Sequence, residues 1–173
     1  MSSVAWRRAL VLNPRQARKL NALGRDDPVI LKAAVRLTAT GAPGYRETLP
    51  CRPESAKRAR LLVAAALDAW GIGELGCSGM QIVAELVNNS VNHTRSRDIL
   101  VVISREGRRV RIRVADKSRD VPVLRRPEDG SEEGRGILLV DTLSASWGYD
   151  RKPWGKVVWA ELRMADASSP EER

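Results

Sequence analysis

Ile99-Leu100-Val101-Val102-Ile103-Ser104-Arg105-Glu106-Gly107-Arg108-Arg109-Val110-Arg111-Ile112-Arg113-Val114-Ala115-Asp116 is the stretch that decides the fold. Its first half, Ile99–Ile103, is a continuous apolar run, as expected of a buried strand. Glu106-Gly107 is a turn signal. In the second half Val110, Ile112 and Val114 alternate with Arg111 and Arg113, a strand with one wet face. Two strands joined by so short a turn pair antiparallel, because a parallel pair needs a long crossover.

Outward from this hairpin, helices and strands follow one another. Tyr45–Cys51 reads as a strand, closed by Pro50 and Pro53. Pro53 suits the first turn of a helix, where its missing N–H costs nothing. Ala59, Leu62, Val63, Ala66, Leu67 and Trp70 then fall on one helical face, and Gly71 and Gly73 end it. A second helix spans about Ser78 to His93, with Val83, Leu86, Val87, Ser90 and Val91 facing inward. Residues 119–134 are polar and rich in Pro and Gly, a loop. Gly136–Leu143 suits a third helix, and Ala145–Tyr149 with Lys156–Leu162 read as paired strands around Lys152-Pro153. Short hairpins among the later strands favour an α+β fold, a two-layer α/β sandwich, over a doubly wound parallel sheet. Four or five strands with three helices on one face are expected.

At 173 residues and 43% apolar content there is room for one domain with a real core plus an appendage. The cysteines, Cys51 and Cys77, have no metal-ligand spacing, and with a single His a Cys/His zinc site is excluded. No charged n-region followed by an apolar run opens the chain. Nothing approaches the roughly 18 apolar residues of a membrane span, so a cytoplasmic protein with reduced thiols and no membrane association is the expectation. The net charge of +9 is concentrated in residues 1–50, where nine bases face three acids. Such an arm suits nucleic acid, acidic lipid or an acidic partner, but a solvated extension is the more common reading. Residues 1–44 are accordingly taken as a basic N-terminal extension, with a short helix at Pro14–Leu23, and residues 165–173 as a flexible tail.

The chemistry-bearing residues sit in three places. Glu85 and Asn89 are four apart on the second helix, with Asn92 and His93 continuing their stripe opposite the apolar one. A carboxylate beside a carboxamide suits a hard cation such as Mg²⁺, or the carboxylate serves as a general base; an exposed polar face also carries these residues without function. Asp116 ends its strand, placed either to reach the amino group of an edge-on base or to close the strand with an Asx-type turn. Glu133-Gly134-Arg135-Gly136 feeds a helix, and free N–H groups at a helix start form an anion site, to which Arg135 adds charge.

Taken in order, these segments resemble the N, G1 and G2 boxes of the GHKL (histidine kinase-like) ATPase superfamily. Within it the chain is most similar to the anti-sigma regulatory serine/threonine kinases and related ATP-binding regulators of actinomycete bacteria. The likeness rests on Glu85-Leu-Val-x-Asn-x-x-x-His93, on Asp116-x-Ser118…Pro122, on Gly134-Arg-Gly136 with its aliphatic run, and on Trp147-Gly148…Gly155-Lys156-Val-Val-Trp159-Ala-Glu-Leu162. It covers about Tyr45–Leu162, so residues 45–164 are taken as the ATP-binding domain.

The resemblance implies a Bergerat-type sandwich with a mixed, mostly antiparallel sheet, and ATP with Mg²⁺ as cofactors. It implies Asn89 as the Mg²⁺ ligand, Glu85 as the catalytic carboxylate and Asp116 as the adenine contact. Ser118, His93, Gly134, Arg135 and Gly136 would complete the cofactor site, with a lid from about Pro122 to Gly136. It further implies phosphotransfer to an antagonist (anti-anti-sigma) protein, sequestration of a sigma factor in transcription regulation, and scope for a homodimer. A non-catalytic, nucleotide-gated binding module is the alternative, and direct nucleic-acid binding ranks below both. Ser118 and Asp120 stand where the superfamily's G1 glycines fall, and Val157 stands where relatives carry Thr. That Thr hydroxyl would support the adenine-binding Asp, and losing such a bond costs on the order of 0.5–1.5 kcal/mol.

Overall fold

The computed structural model describes residues 36–37, 43–120, 122 and 135–165. The chain opens with β1 (Arg36–Leu37) and β2 (Pro43–Pro50), followed by α1 (Ser55–Ala69), a short turn of 3₁₀ helix (Gly73–Leu75) and α2 (Gly76–His93). β3 (Asp98–Glu106) and β4 (Arg109–Asp116) form the central hairpin. Later in the chain come α3 (Arg135–Leu143), β5 (Ser146–Lys152) and β6 (Gly155–Arg163).

One sheet, ordered β1-β2-β3-β4-β6-β5, carries the helices on one face, the α+β sandwich expected. Its pairings are antiparallel throughout, where the expectation allowed some parallel pairing. β1 and the first residues of β2 lie within the stretch expected as an extension, so strand structure starts earlier than Tyr45. The expected helix at Pro14–Leu23, the tail beyond Ala165 and most of the loop before α3 lie outside the described residues. Pro53 stands two positions before α1 rather than in its first turn; Glu54 is the N-cap.

Alternation along the strands sorts the residues into two faces. Ile99, Val101 and Ile103 of β3, Val110, Ile112 and Val114 of β4, and Val158, Ala160 and Leu162 of β6 are all buried toward the helices. They meet Ala59, Leu62, Val63, Ala66 and Leu67 of α1 and Ile82, Val83, Leu86 and Val87 of α2 in one core. The other face carries Arg111, Arg113, Val157 and Trp159, none of them fully buried. On that face the Arg111 guanidinium donates to Glu161 at 2.9 Å and lies 4.9 Å from the centre of the Trp159 ring. Burial alone would raise the Glu161 pKa, but hydrogen bonds from Arg111 and Arg163 and the nearby arginine charges bring it below the usual carboxylate value. Among the described residues no helix is long and apolar enough to cross a membrane.

Candidate functional site

Asp116 closes β4 with the same parity as Val110, Ile112 and Val114, so its carboxylate points under the helix layer instead of toward water. A buried carboxylate is costly unless its oxygens are paired. Here they are. Oδ2 accepts the Ser90 hydroxyl at 2.7 Å, while Oδ1 accepts the Lys156 ammonium at 3.1 Å and the Ser118 N–H at 2.8 Å. Asp116 and Lys156 are both essentially inaccessible, their side chains exposed by 0% and 1%. The Ser118 bond is the Asx-type turn that closes the strand, so the turn and the buried anchor coincide in one side chain. Asp120 N–H then donates to the Ser118 hydroxyl at 3.0 Å, which continues the ordered turn.

Two local features deliver Lys156 to this point. Sheet register sets Asp116 directly opposite Lys156, on one face of the β4–β6 pair. Gly155 starts β6 with φ +154°, and a Cβ there would collide with the Asp116 carbonyl oxygen and the Lys117 Cα. Only glycine lets the two backbones pass this closely.

The support expected from position 157 is corrected by the same register. Val157 pairs with Ala115 and points to the opposite face of the sheet, away from the Asp116 carboxylate. A hydroxyl there has no route to Asp116; Ser90 and Lys156 supply the contacts. Sequence reasoning missed both residues. Ser90 interrupts the apolar inner stripe of α2, and Lys156 interrupts the inward row of β6 that continues with Val158, Ala160 and Leu162. A polar residue on a buried row requires a partner, and that was the available signal.

The remaining expected residues are distributed along α2. Asn89 and Glu85 are half-buried on its polar face, and Asn92 and His93 are exposed at its end. Glu85 faces the start of α3: a Cβ on Gly136 would lie 2.5 Å from Glu85 Oε2. The glycine therefore makes room for a carboxylate beside the start of α3. Gly134 lies outside the described residues, as does the side chain of Arg135. Ser90, anchored on Asp116, and Glu85, set against Gly136, are five residues apart, roughly 7.5 Å along the helix axis.

At the C-terminal end of α2 an open groove of about 370 Å³ is lined by His93, Arg95, Lys117, Ser118 and Asp120 among others. It joins two expected site residues, His93 and Ser118, while Glu85 and Asn89 are not part of its described lining. Thr94 and Ser96 share a hydrogen bond of 2.8 Å, and Ser96 Oγ accepts the Lys117 N–H at 2.8 Å, which ties the end of α2 to the turn after Asp116. Nearby, burial raises the Cys51 thiol pKa, and the Asp116 and Asp98 carboxylates raise it further, so this cysteine stays protonated at neutral pH.

The donor types fit the groups that the resemblance implies. Glu85 and Asn89 present oxygen atoms of the kind Mg²⁺ takes, and the Gly136 cradle leaves the Glu85 carboxylate unblocked. No curated protein matches the chain. A family model described as the histidine kinase-like ATPase domain matches residues 49–162, from the end of β2 almost to the end of β6. That span contains each side chain of the buried Asp116 cluster, the polar face of α2 and the start of α3, and it is on this match that the chain belongs to the histidine kinase-like ATPase family.

Proposed function

We propose that the chain is an ATP-binding regulator that transfers the γ-phosphate of ATP to a Ser or Thr of an antagonist protein, and that it alternatively binds a sigma factor. The observation that carries this reading is the polarity of α2. One end of its site is the buried Asp116 carboxylate, held by Ser90, and the other is Glu85 beside the glycine start of α3. The base of the nucleotide is assigned to Asp116 and the phosphates to the start of α3, since backbone N–H groups and the dipole at a helix N-terminus favour anions. Mg²⁺, when bound, neutralises charge on the phosphates and polarises the transferred group. Asn89, with Glu85 beside it, is assigned to hold it.

Transfer breaks the bond between the γ-phosphorus and the bridging oxygen, leaving ADP, and forms a phosphoester to the attacking hydroxyl. Glu85 takes the proton of that hydroxyl. Such chemistry asks little of the protein beyond positioning and a base.

Glu85→Ala separates binding from transfer. Nucleotide affinity should stay near wild type, while single-turnover phosphorylation of a cognate antagonist falls by about 10²–10⁴-fold. Normal transfer by the variant would remove Glu85 from its role. A second reading, a nucleotide-gated binding module without catalysis, draws on the contrast between a base contact built into the core and a half-buried Glu85. It prevails if wild type binds ATP yet transfers to no antagonist.

A further inference from the structure

We propose that the end of the sheet where β2, β4 and β5 finish is a docking surface for an acidic segment of a partner protein.

Strand register gathers five strand ends here. Pro50 faces Asp98, Leu100 faces Ala115, Asp116 faces Lys156 and Lys152 faces Gly155, so β2, β4 and β5 finish where β3 and β6 begin. The segments flanking these ends are tied together. The Cys51 N–H donates to the Arg97 carbonyl at 2.8 Å and the Lys117 N–H to Ser96 Oγ at 2.8 Å. Gly155 passes so close to Lys117 that a Cβ on it would lie 2.6 Å from the Lys117 Cα. Residues far apart in the chain thus share one surface.

That surface has an excess of cations. Arg95 and Arg97 precede β3, Lys117 and Arg119 follow β4, and Arg151 and Lys152 end β5; all six side chains are exposed. Among the described residues none of the six side chains has an ion pair or hydrogen bond. Toward the opposite end the arginines are taken up. Arg109, Arg111 and Arg163 share the buried Glu161, and Arg105 donates to the Trp70 carbonyl at 2.9 Å. Like charges gathered without partners repel one another, and carboxylates brought by a partner relieve that repulsion. Within the surface lies the open groove of about 370 Å³ lined by His93, Arg95 and Lys117. Trp154, in the turn between Lys152 and Gly155, is 53% exposed, the most exposed large apolar residue described. Arginine and tryptophan together are the usual anchors of protein interfaces.

The charge pattern favours a protein over other occupants. Asp98, Asp120 and Asp150 stand exposed among the six cations. A nucleic-acid strand carries a phosphate on every nucleotide and nothing cationic to set against them. A protein segment spaces its carboxylates and lays an apolar side chain on Trp154. A second copy of this surface would oppose the same excess of cations to itself, which a two-fold contact cannot avoid.

Fluorescence anisotropy tests this with a labelled peptide in which Glu alternates with Leu, titrated with the full chain. Wild type should bind it saturably, more weakly as salt is raised. Arg97→Glu and Lys152→Glu should each weaken binding by about tenfold or more, since each sets a carboxylate against those of the peptide. Arg46→Glu, exposed on β2 opposite Val102 and away from this end, alters net charge equally and should stay within about threefold of wild type. Trp154→Ala, which leaves the charge unchanged, should weaken binding by about tenfold or more. All four positions are exposed, so the variants keep the core intact. Equal losses in Arg46→Glu and Lys152→Glu would reveal general attraction to a basic chain and overturn the proposal. So would a peptide that fails to saturate, or undiminished binding by Trp154→Ala. Tighter binding of a labelled oligothymidylate, lost in Lys152→Glu, would assign the surface to nucleic acid and overturn it as well.

Discussion

The two ends of the α2 site are built in opposite ways. At the Asp116 end a charged pair is sealed in the core, with Ser90, Ser118 and Lys156 all donating to one carboxylate. At the Glu85 end the side chains are half-buried on a helix surface, next to the first turn of α3. A buried charge must be fully paired, so its position is fixed by strand register, a glycine and a helix at once. A group that serves a transferable phosphate has to remain open to what enters from solvent. The first end is thus part of what holds the protein together, whereas the second can be altered without cost to the fold.

The largest effect should come from breaking the buried pair. Asp116→Ala leaves the Lys156 ammonium buried without its partner and should cost about 3–5 kcal/mol of stability. Glu85→Ala, by contrast, should stay within about 0.5 kcal/mol of wild type. Urea denaturation of the two variants side by side measures the difference; equal stabilities would erase the contrast between the ends.

A smaller effect should follow at the other end from Gly136→Ala. The added Cβ meets the Glu85 carboxylate at 2.5 Å, so that side chain must turn away. Phosphotransfer should fall by about 10²-fold, as misplacement of a catalytic group by about 1 Å can cause. Single-turnover kinetics would decide it, and wild-type transfer by the variant would mean that the approach of α3 to Glu85 carries no function. Val157→Thr should do least. Facing away from Asp116 across the sheet, it should leave nucleotide affinity within about 0.5 kcal/mol of wild type. A clear gain in affinity would place residue 157 on the Asp116 side and break the register argument.

How far the sequence carried differs between these regions for physical reasons. The β3–β4 hairpin was legible because Val110, Ile112 and Val114 alternate with arginines, and that period needs no partner to interpret. Glu85 and Asn89 were legible because helical spacing alone puts them on one face. Lys156 was not, since its meaning arises from pairing with Asp116, 40 residues away, and register is a property of two strands. Position 157 was misplaced by a single residue, which in a strand means the opposite face. Helical spacing puts Ser90 on the inner face, and a hydroxyl among Val83, Leu86 and Val87 requires an acceptor, but spacing within one helix does not say that Asp116 supplies it. The start of α1 was misjudged by two positions, because Pro53 is compatible both with a first helical turn and with the turn before it.

The central claim, a nucleotide lying along α2 with its phosphates at the Glu85 end and its Mg²⁺ held by Asn89, is tested most directly by calorimetric titration of ATP with and without Mg²⁺ into wild type and Asn89→Ala. Wild type should bind ATP in a Mg²⁺-dependent manner. Asn89→Ala, shown to be folded by its unchanged unfolding transition, should lose that Mg²⁺-dependent binding. Undiminished affinity for ATP with Mg²⁺ in the folded variant would contradict the account.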